Sequence, residues 1–267
     1  MRLHFISGLP RSGSTLLAAI LRQNPDFHAA MTSPVGALFS AMLRQMSAEN
    51  EAAPFIDDRR RAAVLRGLFA SYYAREGGLV FDTNRLWCAK MPALAALFPR
   101  AKVIACVRHV PWIFDSVERL HRKNALQPSR LFGFDAGGTV YQRCAALNAP
   151  NGMVGFSWNA LREAWFGEQA DRLLVVRYDS LTSDPGRVLS AIHEFVGEPE
   201  FAYDFENVEY DAPEFDARLG APGLHRVCGP VRRNERRTIL PPDIFARHAG
   251  NSFWAIPEQN VNNVRIV

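Results

Sequence analysis

Eight residues near the N-terminus, Gly8-Leu-Pro-Arg-Ser-Gly-Ser-Thr15, bring together two glycines, a proline, an arginine and three hydroxyls. An apolar run precedes them and an amphipathic pattern follows, so the stretch reads as strand, tight loop, helix. Gly8, Gly13, Ser14 and Thr15 have the spacing of a phosphate-binding loop. A nucleoside-triphosphate loop carries a lysine after the second glycine; here Ser14 stands there, and the cation has moved inside the loop as Arg11. Successive backbone N–H groups and a helix N-terminus bind an anion unaided. Arg11, Ser12, Ser14 and Thr15 can add donors, with Pro10 shaping the turn. A plain strand-to-helix turn would need the glycines but not the arginine and hydroxyls.

A second set lies in Ala101-Lys-Val-Ile-Ala-Cys-Val-Arg-His-Val-Pro-Trp-Ile-Phe-Asp-Ser116. Arg108 sits where a buried strand leaves the sheet. Ser116 follows on the next helix, off its apolar stripe. A guanidinium and a hydroxyl there make a second anion clamp; taken singly, Arg108 reads equally as a strand-end ion pair. The chain has only three lysines, and Lys90 precedes Met-Pro and the strand of Arg108. Val231-Arg-Arg-Asn-Glu-Arg-Arg237 either closes over a phosphate or is a solvated segment with internal Arg–Glu pairing.

The elements that must position these groups are legible as patterns. Leu3–Ser7, Leu79–Phe81, Lys102–Val107 and Leu173–Arg177 are nearly continuous apolar runs, as expected of parallel strands covered on both faces. Leu16, Leu17, Ile20 and Leu21 mark one helix. Val110, Ile113, Phe114, Val117 and Leu120 mark a second, and Val188, Leu189, Ile192, Phe195 and Val196 a third. Asp184, Pro185 and Gly197 suit the ends of the third. The alternation predicts an α/β, P-loop-like three-layer fold: a central parallel sheet flanked by helices. Residues 125–152 and 198–267 are rich in Gly, Pro, Asn and Arg and weakly periodic. They are expected as loop and helix lid segments over the open end of the sheet, where such folds bind ligands. The reading is one domain, 1–267, with its core at about 1–197.

At 267 residues and 48% apolar the chain can bury a substantial core. No apolar stretch approaches a membrane span. The N-terminus runs straight into strand and loop, so no signal peptide and a cytoplasmic location are expected. Net charge is +4, which suits an anionic ligand but does not argue for nucleic acid. Cys88, Cys106, Cys144 and Cys228 are far apart, and the histidines show no ligand spacing. No metal is expected.

The loop and the Arg108 segment together resemble the sulfotransferases that use 3′-phosphoadenosine 5′-phosphosulfate (PAPS). Gly8-Leu-Pro-Arg-Ser-Gly-Ser-Thr-Leu-Leu17 is similar to the family's 5′-phosphosulfate loop, in the form found in tyrosylprotein sulfotransferases and many bacterial enzymes. The strand ending at Arg108 and running on to Ser116 resembles its 3′-phosphate motif. Cys88-Ala-Lys-Met-Pro92 with Leu97-Phe-Pro99 resembles its Lys-x-Pro segment, and Val176-Arg-Tyr-Asp-Ser-Leu181 the later strand whose tyrosine lies by adenine. The likeness covers about residues 3 to 196, in order. It implies PAPS as cosubstrate, no metal, and sulfuryl transfer to a hydroxyl or amine of a small-molecule or peptide acceptor. It further implies that Arg11 and the loop amides hold the 5′ phosphosulfate, that Lys90 stabilises the leaving phosphate, that Arg108 and Ser116 bind the 3′ phosphate, and that Tyr178 borders adenine.

One feature departs from the family. Thr32 falls where the tyrosylprotein branch has a catalytic glutamate, and Pro92 where cytosolic sulfotransferases have a histidine. His28, Asp82 and His109 are the neighbouring candidates for a base. Trp112, Phe132, Phe134, Tyr141 and Trp158 could line an acceptor pocket or simply pack in the core. Two alternatives stay open: a P-loop kinase or NTPase, with Asp82 after its strand as a metal ligand, and a sulfotransferase fold that binds the nucleotide without turnover. Acceptor and oligomeric state, a homo-oligomer included, are not fixed by these residues.

Overall fold

Along one central strand, Val103, Ala105 and Val107 enter one hydrophobic core while Ile104 and Cys106 enter another. A strand buried on both faces must do this, because successive side chains point to opposite sides of the sheet. The computed structural model describes residues 2–47, 50–133 and 138–267. Its strands are β1 (Arg2–Gly8), β2 (Phe27–Ala29), β3 (Leu79–Thr83), β4 (Val103–Val107), β5 (Leu173–Arg177), β6 (Val208–Tyr210), β7 (Val227–Gly229) and β8 (Arg265–Ile266). Six form a sheet in the order β2-β3-β1-β4-β5-β8, every pair parallel. Strands β6 and β7 make a separate antiparallel pair. The four apolar runs are β1, β3, β4 and β5. The edge strands β2 and β8 were not anticipated, being only three and two residues long.

Helices cover both faces. On one side α1 (Ser14–Leu21) and α9 (Pro185–Val196) pack with Ile6, Ile104, Leu174 and Val176. On the other lie α2 (Val35–Gln45), α3 (Asp58–Tyr72), α4 (Met91–Leu97), α5 (Val110–Lys123), α6 (Val140–Asn148), α7 (Met153–Phe166) and, later in the chain, α11 (Pro242–Ala249). Two short helices, α8 (Tyr178–Ser183) and α10 (Pro213–Arg218), lie in the connections after β5 and β6. The expected α9 ends are present: the Asp184 carboxylate accepts from the Arg187 N–H at 3.2 Å, Pro185 opens the helix, and Gly197 closes it at φ 76°. The result is the α/β three-layer fold read from the sequence.

The last 28 residues split from the lid role expected of 198–267. Leu240, Ile244, Phe253, Trp254 and Val264 are buried in the larger core, and Val267 in the smaller one. Among the described residues, no helix is long and apolar enough to cross a membrane.

One polar group sits in this core by design of its neighbours. The Asp82 carboxylate at the end of β3 is fully buried and receives hydrogen bonds from Ser33 Oγ (2.6 Å), Tyr73 Oη (2.5 Å) and Trp87 Nε1 (2.7 Å). It ties α3, the segment before α2 and the turn after β3 to the sheet.

The sheet order also fixes where a ligand can lie. After β1 the chain turns toward β2 and β3; after β3 it crosses to β4 on the far side of β1. The switch point therefore falls between the carboxyl ends of β1 and β4, and the crevice outside such a point is where open α/β sheets bind ligands. Gly8 is in register with Cys106, so Arg11 and Arg108 leave adjacent strands at nearly the same level.

Candidate active site: an arginine-lined cavity at the switch point

The loop after β1 is held open by its backbone. Gly8 has φ 99°, and a Cβ there would meet the Cys106 carbonyl oxygen at 2.2 Å, so no other residue fits. Gly13, the N-cap of α1, has φ 95° and packs against Tyr178. Between them Arg11 adopts φ 56°, the left-handed region that non-glycine residues seldom enter. Its guanidinium donates from Nε to Ser116 Oγ at 3.1 Å and from Nη1 to the Leu224 carbonyl. These contacts join three distant pieces of chain and offset the backbone cost.

Above the loop lies a cavity of about 760 Å³. Six arginines line it: Arg11, Arg85, Arg108, Arg130, Arg226 and Arg232. No aspartate, glutamate or lysine is among the described residues lining it. Arg232 pairs with Glu206 at 3.1 Å; the other five have no ion pair among the described residues. Burial lowers the pKa of Arg11, and the neighbouring Arg108 lowers it further. Burial acts on the half-buried Arg108 in the same direction. Like charges held together without counter-charges are repaid when an anion binds.

The anticipated residues fall into two groups. Pro10, Arg11, Gly13, Ser14, Thr15, Arg108 and Tyr178 all line the cavity. Arg108 Nη1 donates to the Arg11 carbonyl at 3.4 Å, and its guanidinium lies 4.1 Å from the centroid of the Tyr178 ring. Ser12 and Ser116 stand behind this surface. The Ser12 hydroxyl, fully buried, donates to the Pro10 carbonyl at 3.2 Å, and Ser116 acts on Arg11. Lys90 is not among the lining residues. It ends a 3-10 turn, Arg85–Lys90, whose first residue faces the cavity instead. Ser7 pins that turn: its hydroxyl donates to the Arg85 carbonyl and accepts from the Cys88 N–H, both at 3.2 Å.

Thr32 lines the cavity, whereas the three neighbouring base candidates do not. His28 pairs with Glu76 at 2.9 Å, Asp82 is committed to its three donors, and the His109 ring lies 3.0 Å from the Ala249 carbonyl oxygen. The aromatics considered for an acceptor pocket are engaged elsewhere. Trp112 packs edge-on against Phe245, Phe132 against His121, Tyr141 bonds Asp243 and Trp158 bonds the Asn251 carbonyl. Phe134 lies outside the described residues.

Sequence reasoning missed Arg85 and a paired histidine and aspartate. His225 lines the cavity one residue beyond Leu224; its Nδ1 lies 2.6 Å from Asp216 Oδ1, and its backbone N–H donates to Asp216 Oδ2 at 2.9 Å. Asp216 is fully buried on α10. No short motif marks a His and an Asp nine residues apart in a weakly periodic segment.

The basic run divides in two. Arg232 and Asn234 line the cavity, while Arg236 turns away to the buried Asp115 of α5 at 2.8 Å. Asp115 also accepts from Arg119 Nε (2.9 Å), Thr238 Oγ1 (3.1 Å) and the Ile239 N–H (2.8 Å), fastening the strap to α5. Asp115→Ala should release it. Cleavage by trypsin at Arg232–Arg237, followed by mass spectrometry, is expected to quicken by about tenfold or more, since local opening controls access; unchanged cleavage would place the anchor elsewhere.

Comparisons with known proteins identify the family and the fold. Protein-tyrosine sulfotransferase 1 of Danio rerio is 25% identical over 261 residues, covering 92% of this chain and 64% of that protein. Protein-tyrosine sulfotransferase 2 of Gallus gallus is 25% identical over 213 residues, covering 74% of this chain and 51% of its own length. The chain thus spans between half and two thirds of these relatives. The sulfotransferase domain from the curacin biosynthetic pathway has the same fold: TM-score 0.50, 20% identity, 75% of this chain and 76% of that one. Residues 4–202 match the profile described as "Sulfotransferase family", a span that includes the β1 loop, the exits of β4 and β5, and α9. The chain belongs to the sulfotransferase family.

Proposed function

We propose that the protein moves a sulfuryl group from PAPS to a hydroxyl or amine of an acceptor. The observation that carries this reading is the cavity at the switch point, with six arginines and no carboxylate among its described lining residues. PAPS bears a 5′ phosphosulfate and a separate 3′ phosphate. The loop amides around Ser14 and Thr15, with Arg11, are proposed to hold the first, and Arg108 the second. Ser116 supports the first through its bond to Arg11, and Tyr178, already against Arg108, would border the adenine. Ser12 contributes its backbone, since its hydroxyl is taken.

Sulfuryl transfer needs in-line placement and stabilisation of negative charge that spreads over the transferred group and the leaving phosphate. Guanidiniums already fixed by Ser116, Leu224 and Tyr178 need not reorganise as that charge develops. Arg85 is the cation we assign to the leaving phosphate, from the same turn as Lys90. A nucleoside-triphosphatase reading is disfavoured on two counts: Ser14 replaces the lysine, and Asp82 is engaged by Ser33, Tyr73 and Trp87.

The test is selective stabilisation. The desulfated product, 3′,5′-adenosine bisphosphate, should raise the melting temperature by several degrees at 100 times its Kd, where linkage contributes about 2.7 kcal/mol. ATP with magnesium should leave it unchanged. Equal shifts, or none with the bisphosphate, would sink the assignment.

A further inference from the structure

We propose that His225, positioned by Asp216, is the general base that takes the proton from the acceptor. The inference rests on the sulfotransferase reading above and supplies the base absent from the positions of Thr32 and Pro92. His225 faces the cavity with its side chain 18% exposed, while the Asp216 carboxylate behind it is fully buried. Nδ1 is committed to Asp216 Oδ1, which holds the ring with a proton on Nδ1 and the lone pair on Nε2. Nε2 has no partner among the described residues. The backbone N–H of His225 donates to the same carboxylate, so the group that orients the ring is itself held in place. Its position relative to the donor is fixed as well. The preceding residue, Leu224, accepts from the Arg11 guanidinium, the group we assign to the phosphosulfate.

The step balances simply. The acceptor oxygen forms a bond to sulfur as its proton passes to Nε2. The bond from sulfur to the bridging oxygen breaks, and its electron pair stays on the 5′ phosphate. A sulfate ester, 3′,5′-adenosine bisphosphate and an imidazolium stabilised by Asp216 result. The imidazolium then loses its proton to solvent.

The surroundings keep the base neutral before reaction. Burial lowers the His225 pKa below the ordinary 6.5, and Arg11 and Arg85 lower it further, while Asp216 opposes them. Phe215 of α10 packs edge-on against the ring. A neutral imidazole is the active form, so turnover should rise with pH through a single step lying below about pH 6.5.

The experiment follows labelled sulfate from PAPS onto 4-nitrophenol, tyrosine methyl ester and water, alongside calorimetric binding of 3′,5′-adenosine bisphosphate. His225→Gln should lower kcat on the best of these probes by about 100- to 10,000-fold. It should bind the bisphosphate within about twofold of the parent and lose the acid limb of the pH profile. Asp216→Asn should bind equally well, lower kcat less, and move the acid limb to lower pH. Parent-like kcat in His225→Gln, or loss of kcat with the pH limb unmoved, overturns the proposal. So does a parent protein that binds the bisphosphate yet transfers to none of the probes. A parent that does not bind the bisphosphate overturns instead the donor site on which the proposal stands.

Discussion

Arg11→Ala lowers the affinity for 3′,5′-adenosine bisphosphate by about 100-fold or more. A charge-assisted hydrogen bond contributes about 1.5–3 kcal/mol, and Arg11 is expected to make more than one to the 5′ group. The substitution also removes the guanidinium that holds Leu224, so the segment carrying His225 loses its tie to the loop. Stability without ligand should change little. Repulsion between Arg11 and Arg108 is relieved, while contacts to Ser116 and Leu224 are lost, and alanine inherits the unfavourable φ of 56°. Calorimetric titration separates the two quantities: affinity collapses and the melting temperature of the free protein stays nearly constant. Arg108→Ala should act the same way, and its affinity should depend less on salt than the parent's, as one fewer phosphate contact requires. If both variants bind like the parent, the donor lies elsewhere.

Asp82→Ala destabilises the fold by about 3–5 kcal/mol while leaving the cavity arginines untouched. Removing the carboxylate strands the buried Trp87 indole N–H and Tyr73 hydroxyl away from water, and the half-buried Ser33 hydroxyl loses its acceptor as well. Trp87 is fully buried among Phe5, Phe39 and Phe69, so it cannot swing out to find another partner. Burial also holds the Asp82 carboxyl above its ordinary 3.8 despite the three donors. The native state therefore binds that proton more tightly than the unfolded chain. This contribution is fully present below about pH 4 and fades as pH rises through the folded value. The gap between parent and variant in urea unfolding should be widest at the acid end of that window. A loss under about 1 kcal/mol would mean the donors find new partners. Retained nucleotide binding in Asp82→Ala would separate its structural role from the metal-ligand role of a kinase reading.

The parts of the site that could be read in the sequence are those whose chemistry is local. Gly8 to Thr15 announces itself because loop, glycines and cation are contiguous, and Arg108 because it ends an unbroken apolar strand. Arg85 escaped because lysine scarcity drew attention to Lys90, and only the pinning of the turn by Ser7 reveals which end faces the cavity. The His225–Asp216 dyad escaped because its meaning depends on Leu224 meeting Arg11, a contact spanning 213 residues. The basic run allowed two readings, and the chain uses parts of both. Arg232 pairs with Glu206 at the cavity wall, and Arg236 reaches back to Asp115 on α5. Strands β2 and β8 are too short to leave a pattern at all.

That arginine alone supplies the fixed positive charge among the cavity's described lining residues has a chemical corollary. Guanidiniums keep their charge throughout the physiological pH range and are poor targets for acylating reagents. Electrophiles that strip charge from lysine-dependent nucleotide sites would leave this one electrically intact, whereas vicinal dicarbonyls, which condense with guanidinium, would silence it. The protein's sensitivity to covalent damage should thus be inverted relative to that of a lysine-bearing phosphate loop.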